Sequence, residues 1–238
     1  MSREQELSDL VGEFQLAAGN NLRSLVLYGS AAGGEFHEPH SDLNILALFD
    51  RLDAAALKRL HPVAAAWVGK GNPAPLLLTV DELHSAADVY AIEFLDIISR
   101  RRTLSGEDFF ASLEVPMNLH RVQVERELRV NVLKLRQSAL ISGAGTAELS
   151  RLMIDSVAAF CVLFRHALIA LGEKAPDSRR ESARRLAALF GFDSTPIETV
   201  LDVRESKQPA KALNADIFAG YLAAVSAAAD EFDRRTAT

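Results

Sequence analysis

The chain has 238 residues, of which 49% are hydrophobic and 24% charged, the mix of a folded protein of one or two domains and not of a disordered one. Its 26 basic residues against 32 acidic ones give a net charge of −6, which argues against a nucleic-acid coat or a membrane-surface role. A lone cysteine, Cys161, excludes an internal disulfide; with a polar, acidic start and no run of about 18 apolar residues, the expected address is the cytoplasm, without a membrane span.

In chain order, residues 4–18 place Leu7, Leu10, Val11 and Phe14 at helical spacing, so an amphipathic entry helix is expected. A strand over 22–28 follows and stops at Gly29-Ser30. After a Gly-rich loop, 43–49 (LNILALF) is near-continuously apolar, the pattern of a central strand buried on both sides. Residues 52–68 read as a helix closed by Asn72-Pro73, 76–80 as a third strand, and 81–86 as a short helix. The run 89–98 (VYAIEFLDII) reads as a fourth strand, and Thr103-Leu104 before Ser105-Gly106 as a short last one.

The pattern changes near Pro116. Residues 1–115 hold 9 basic and 17 acidic residues and 8 of the 13 glycines, whereas 116–238 hold 17 basic and 15 acidic. The second part reads as helices over 119–141, 147–171, 179–190, 196–204 and 214–234, with Gly172 and Gly191 just past helix ends and Asp177 or Ser178 and Ser194 as N-caps. Two domains are expected, 1–115 and 116–238.

The chemistry concentrates in 25–49, LVLYGSAAGGEFHEPHSDLNILALF. A glycine at a strand end lets backbone approach a triphosphate, and a serine hydroxyl with the amides of a turn binds phosphate oxygens. Asp42 and Asn44 are two apart on a strand and so share a face. Two carboxylates so placed can hold two Mg²⁺ ions about 4 Å apart for an in-line displacement. Asn44 offers a carbonyl acceptor without the charge, so a metal should bind more weakly. A hydrogen bond from Asn44 to the Gly29 loop is the competing reading.

This order of apolar–Gly–Ser, spacer, and Asp–apolar–acid–apolar resembles the nucleotidyltransferase superfamily, which includes DNA polymerase β and the aminoglycoside nucleotidyltransferases. The resemblance implies an α+β fold, a mixed sheet flanked by helices, followed by an all-helical bundle. It implies that Gly29 and Ser30 bind the triphosphate, that Asp42 holds Mg²⁺ or Mn²⁺, and that Asn44 stands where a second metal ligand belongs. A third carboxylate is usual; Glu93 and Asp96 are its candidates, as ligand or base, and on a regular strand only one of them would face Asp42. The second half is similar in layout to the bundles of kanamycin-modifying enzymes and of HEPN-type partners, without the Arg–His ribonuclease motif near His120 or His166.

Arg100, Arg101 and Arg102 form a basic run that either clamps phosphates or bridges to acidic neighbours. His37 and His40 with Glu38 suggest a metal cluster, but His-x-x-His does not match one helical face, and a solvated loop is the better reading. Cys161 sits in an apolar helix as an inert core thiol, and Arg165 and His166 read as capping or surface groups. The expected activity is nucleotidyl transfer from a nucleoside triphosphate to a hydroxyl on a small molecule or protein. The alternative is a module that has lost chemistry and keeps nucleotide or partner binding, in an antitoxin-like role. A homodimer would be in keeping with the commonest oligomer symmetry.

Overall fold

A computed structural model describes residues 2–32, 43–142, 145–176 and 178–236. The chain divides into two units, 1–116 and 117–238. In the first, α1 (Arg3–Ala18) starts at Ser2, whose hydroxyl accepts the Gln5 amide at 3.3 Å, and buries Leu7, Leu10 and Phe14 along one stripe. Then follow β1 (Leu22–Tyr28), β2 (Asn44–Phe49), α2 (Ala54–Gly69), β3 (Leu76–Thr79), α3 (Val80–Ser85), α4 (Ala91–Ser99) and β4 (Arg101–Gly106). Asp53 caps α2, and a capping box of Thr79 and Glu82 turns β3 directly into α3.

The sheet order is β3-β2-β1-β4, with β2 and β3 parallel and β1 antiparallel to both β2 and β4. Strand alternation sorts the core into two layers. Leu25, Leu27, Ile45, Ala47 and Phe49 face α1 and α2, where they meet Phe14, Leu60 and Trp67. Val26, Leu46 and Leu48 face the other way and meet Leu83, Phe94, Ile97 and Phe110. This is the α+β mixed sheet that the sequence predicts.

One element differs. The run expected as a strand over 89–98 is helical, as α4. Its apolar residues Ala91, Phe94 and Ile97 recur at three-residue spacing and are buried. In so dense an apolar run, the strand period and the helix period both find matches. The last strand begins earlier than expected, taking in Arg101 and Arg102; β4 lies at the edge of the sheet, where charged side chains are tolerated.

The second unit contains α5 (Met117–Ser142), α6 (Thr146–Ala170), α7 (Arg179–Phe190), α8 (Thr195–Arg204) and α9 (Ala215–Thr236). Ser178 caps α7 through the Glu181 amide at 3.1 Å, and Gly191 ends it at φ +77°, the left-handed region that glycine enters most easily. By length and composition alone α6 is long and apolar enough to cross a bilayer. It is apolar because it packs against α5, α7, α8 and α9. His166 on α6 is fully buried, not a surface group, and lies 2.9 Å from His120 on α5, ring nitrogen to ring nitrogen. Burial pushes the Cys161 thiol up to about 12, which makes it unreactive.

Candidate functional site

The site begins at the end of β1. Tyr28 stands opposite Asn44 on β2 and opposite Arg101 on β4, so the three form one lateral row across the sheet. By strand alternation this row belongs to the face covered by α4, together with Val26 and Leu46. Burial raises the Tyr28 phenol above its ordinary value, so it is uncharged at neutral pH.

Gly29 leaves the sheet at φ +82°, which a side chain would disfavour. Its N–H donates to the Arg100 carbonyl at 2.9 Å, and its own carbonyl accepts the Ala32 amide at 3.1 Å, closing a tight turn. A Cβ on Gly29 would lie 3.3 Å from Nδ2 of Asn44, so the glycine and the first residue of β2 are in close approach. Ser30 is exposed at the tip of this turn. The Gly29 and Ala32 amides are thus both engaged within the protein.

Asp42 and the histidines His37 and His40 with Glu38 lie outside the described residues. Asn44 is half-buried. Glu93 and Asp96 lie on α4, not on a strand, and the parity that would set them on opposite faces does not apply. Three residues apart on a helix, they share one flank. Glu93 is exposed and Asp96 half-buried.

The basic run divides into three different environments. Arg100 accepts through its carbonyl from Gly29. Arg102 pairs with Glu4 of α1 at 3.0 Å. Arg101 donates from Nε and Nη2 to the two oxygens of Asp108, at 3.0 and 2.9 Å, and from Nη1 to the Ile98 carbonyl at 2.6 Å. Asp108 is a residue that sequence reasoning passed over; the signal available was an Asp two residues before Phe110, whose amide it caps at 3.2 Å.

Among the described residues no three His, Cys, Asp or Glu side chains cluster as a metal site. Asn44 contributes a neutral amide, a poor donor for Mg²⁺ compared with a carboxylate. The described donors therefore do not by themselves fit a two-metal centre. Two surface hollows, of about 310 and 460 Å³, lie along β4, one with Glu4 and Arg102 in its lining and the other with Gln15 and Ser105; neither includes Gly29 or Asn44.

A nucleotidyltransferase-like α+β fold followed by a helical region is what these elements define. The spectinomycin adenyltransferase AAD(9) from Enterococcus faecialis, crystallised with ATP and spectinomycin, superposes with a TM-score of 0.58 at 12% identity, covering 96% of this chain and 99% of that one. A variant of the toxin–antitoxin pair MntA–HpeT aligns at 21% identity over 53% of this chain and 97% of the other, with a TM-score of 0.34, and nothing further rests on it. No family model and no curated protein matches the sequence.

Proposed function

We propose that this protein transfers a nucleotidyl group from a nucleoside triphosphate to a hydroxyl of a small molecule or protein. The observation that carries the proposal is the left-handed Gly29 turn at the end of β1, in close approach to Asn44 at the opening of β2, within a nucleotidyltransferase-like sheet. The structural neighbour crystallised with ATP and spectinomycin lends a precedent for a nucleotide and a hydroxylated acceptor on this fold. In the reaction, the acceptor oxygen attacks the α-phosphorus, the bond to pyrophosphate breaks, and the hydroxyl proton passes to a carboxylate. Glu93 and Asp96 are the carboxylates on α4 for that role. Ser30 and the Ala31 amide hold the phosphates. Mg²⁺ or Mn²⁺, where bound, would be held weakly by Asp42 and Asn44 and would neutralise charge on the phosphates.

A second reading, a nucleotide- or partner-binding module without turnover, is favoured by one feature: Asn44 stands where the resemblance implies a charged ligand. Melting in the presence of ATP or GTP, combined with transfer of labelled α-phosphate to added acceptors, separates the two. Enzyme and module both predict a raised melting temperature, by mass action. The double variant Ser30→Ala, Gly29→Val should lose that rise while far-ultraviolet circular dichroism shows the fold retained. Transfer of label supports the enzyme; a shift without transfer, with Mg²⁺ or Mn²⁺, supports the module. No shift with any triphosphate sinks nucleotide binding altogether.

A further inference from the structure

We infer that Arg101 and Asp108 are positioning residues for the Gly29–Ser30 turn, holding it in register with the helix that carries Glu93 and Asp96. The inference rests on the proposed nucleotide site and changes the part assigned to the basic run: Arg101 acts through backbone and does not itself hold phosphate.

Three connections converge on the junction between α4 and β4. The Arg101 guanidinium makes a two-pronged pair with Asp108 and also donates to the Ile98 carbonyl, at the C-terminal end of α4. A cation at that end also meets the negative pole of the helix. Asp108 in turn caps the turn of 3₁₀ helix at Phe109–Ala111, and Phe110 there packs edge-on to Phe94 of α4, ring centroids 6.0 Å apart. The circuit thus leaves α4 at Phe94 and returns to it at Ile98. Between Ile98 and Arg101 lies Arg100, whose carbonyl accepts the Gly29 amide at 2.9 Å. Fixing Arg101 therefore fixes the acceptor that sets the Gly29 turn.

The arginine of the pair is also shielded from solvent, although the Asp108 side chain is 37% exposed. The Arg101 side chain is 18% exposed, and a two-pronged guanidinium–carboxylate geometry specifies direction as well as attraction. A phosphate clamp would instead need guanidinium nitrogens turned toward an anion, and in Arg101 the Nε, Nη1 and Nη2 groups all donate within the protein.

The test uses the full chain and two variants whose predicted directions differ between clamp and positioner. Asp108→Asn removes a carboxylate and frees positive charge. A phosphate clamp would then bind ATP more tightly, whereas a positioner should bind it about tenfold more weakly, as expected when a binding geometry slackens. Arg101→Lys keeps the charge, which suffices for a phosphate contact, but cannot make the planar fork. It should weaken ATP by a similar factor, and Arg101→Ala no more than that. The second readout needs no nucleotide: hydrogen exchange of the segment 26–32 should quicken several-fold in Asp108→Asn and Arg101→Lys, with exchange of β2 unchanged. Titrations are run well below each variant's melting temperature.

Tighter or unchanged ATP binding in Asp108→Asn, or rescue by Arg101→Lys, would overturn the inference. So would a lower melting temperature with unchanged ATP affinity and unchanged exchange over 26–32, which would leave only a stabilising bridge. If the wild-type chain binds no triphosphate, the proposed function fails, and the exchange measurement alone decides whether the pair holds the turn.

Discussion

The two faces of the sheet differ in what their strand ends carry. The face under α1 and α2 is lined by Leu25, Leu27, Ile45, Ala47 and Phe49, and its buried partners are apolar down to Trp67. The face under α4 starts the same way with Val26, Leu46 and Leu48, then changes at the strand ends to Asn44, Tyr28 and Arg101. The period-two alternation thus gives two apolar layers, and the polar row appears only at the strand ends of one of them. The lesson is positional: the polar row lies where β1 ends and β2 begins, beside the Gly29 turn, one of several described glycines that take a left-handed backbone.

The sharpest way to break this comparison is to damage the apolar face. Phe49 is fully buried there, so Phe49→Ala should cost about 3–5 kcal/mol, read by urea denaturation. ATP affinity of the molecules still folded should be unchanged; a loss of affinity matching the loss of stability would mean that the faces are not separable. Gly29→Val comes next. It forces a branched side chain to φ +82° and against Nδ2 of Asn44, and should cost about 1–2 kcal/mol of strain while abolishing the triphosphate-dependent rise in melting temperature. A retained rise would place the nucleotide elsewhere.

Asn44→Asp tests the polar row with a smaller change. Stability should move by less than about 1 kcal/mol, and Mg²⁺ binding measured by calorimetry should tighten, since a carboxylate replaces an amide. No gain in Mg²⁺ affinity would remove Asn44 from the ligand positions. The mildest variant, Ser30→Ala, sits at an exposed turn and should change stability by no more than about 0.5 kcal/mol. It should nevertheless reduce the stabilisation by ATP. Equal stabilisation of variant and wild type would mean that the hydroxyl makes no phosphate contact.

Much of the sheet was legible from residue pattern because its strands announce themselves. Leu22–Tyr28 is flanked by Asn and Gly-Ser, and the run 45–49 is apolar throughout. The Gly29-Ser30 turn was legible for the same reason, a strand that stops at a glycine. What sequence could not give was α4. Residues 91–98 contain so few polar positions that periodicity cannot separate helix from strand, and the β-branched residues Ile92, Ile97 and Ile98 favour the wrong choice. That misreading carried over to Glu93 and Asp96, whose relation to each other inverts when a strand becomes a helix. Arg101 and Asp108 were unreadable as a pair for another reason. A basic run looks alike whether it faces solvent, phosphate or a carboxylate seven residues on; only the geometry of the guanidinium distinguishes them.

The antiparallel pairing of β1 with β4 has a consequence for how this unit comes into being. β1 is complete early in the chain, yet one of its two partners arrives only with Arg101–Gly106, after β2, α2, β3, α3 and α4 have been laid down. The β1–β4 pairing is thus less local in sequence than the contacts among α1, β1, β2 and α2. During synthesis the apolar layer can therefore assemble around an unfinished sheet, while the Gly29 amide still lacks the Arg100 carbonyl that sets its turn. A chain stalled before residue 100 would therefore lack the hydrogen bond that closes the Gly29 turn.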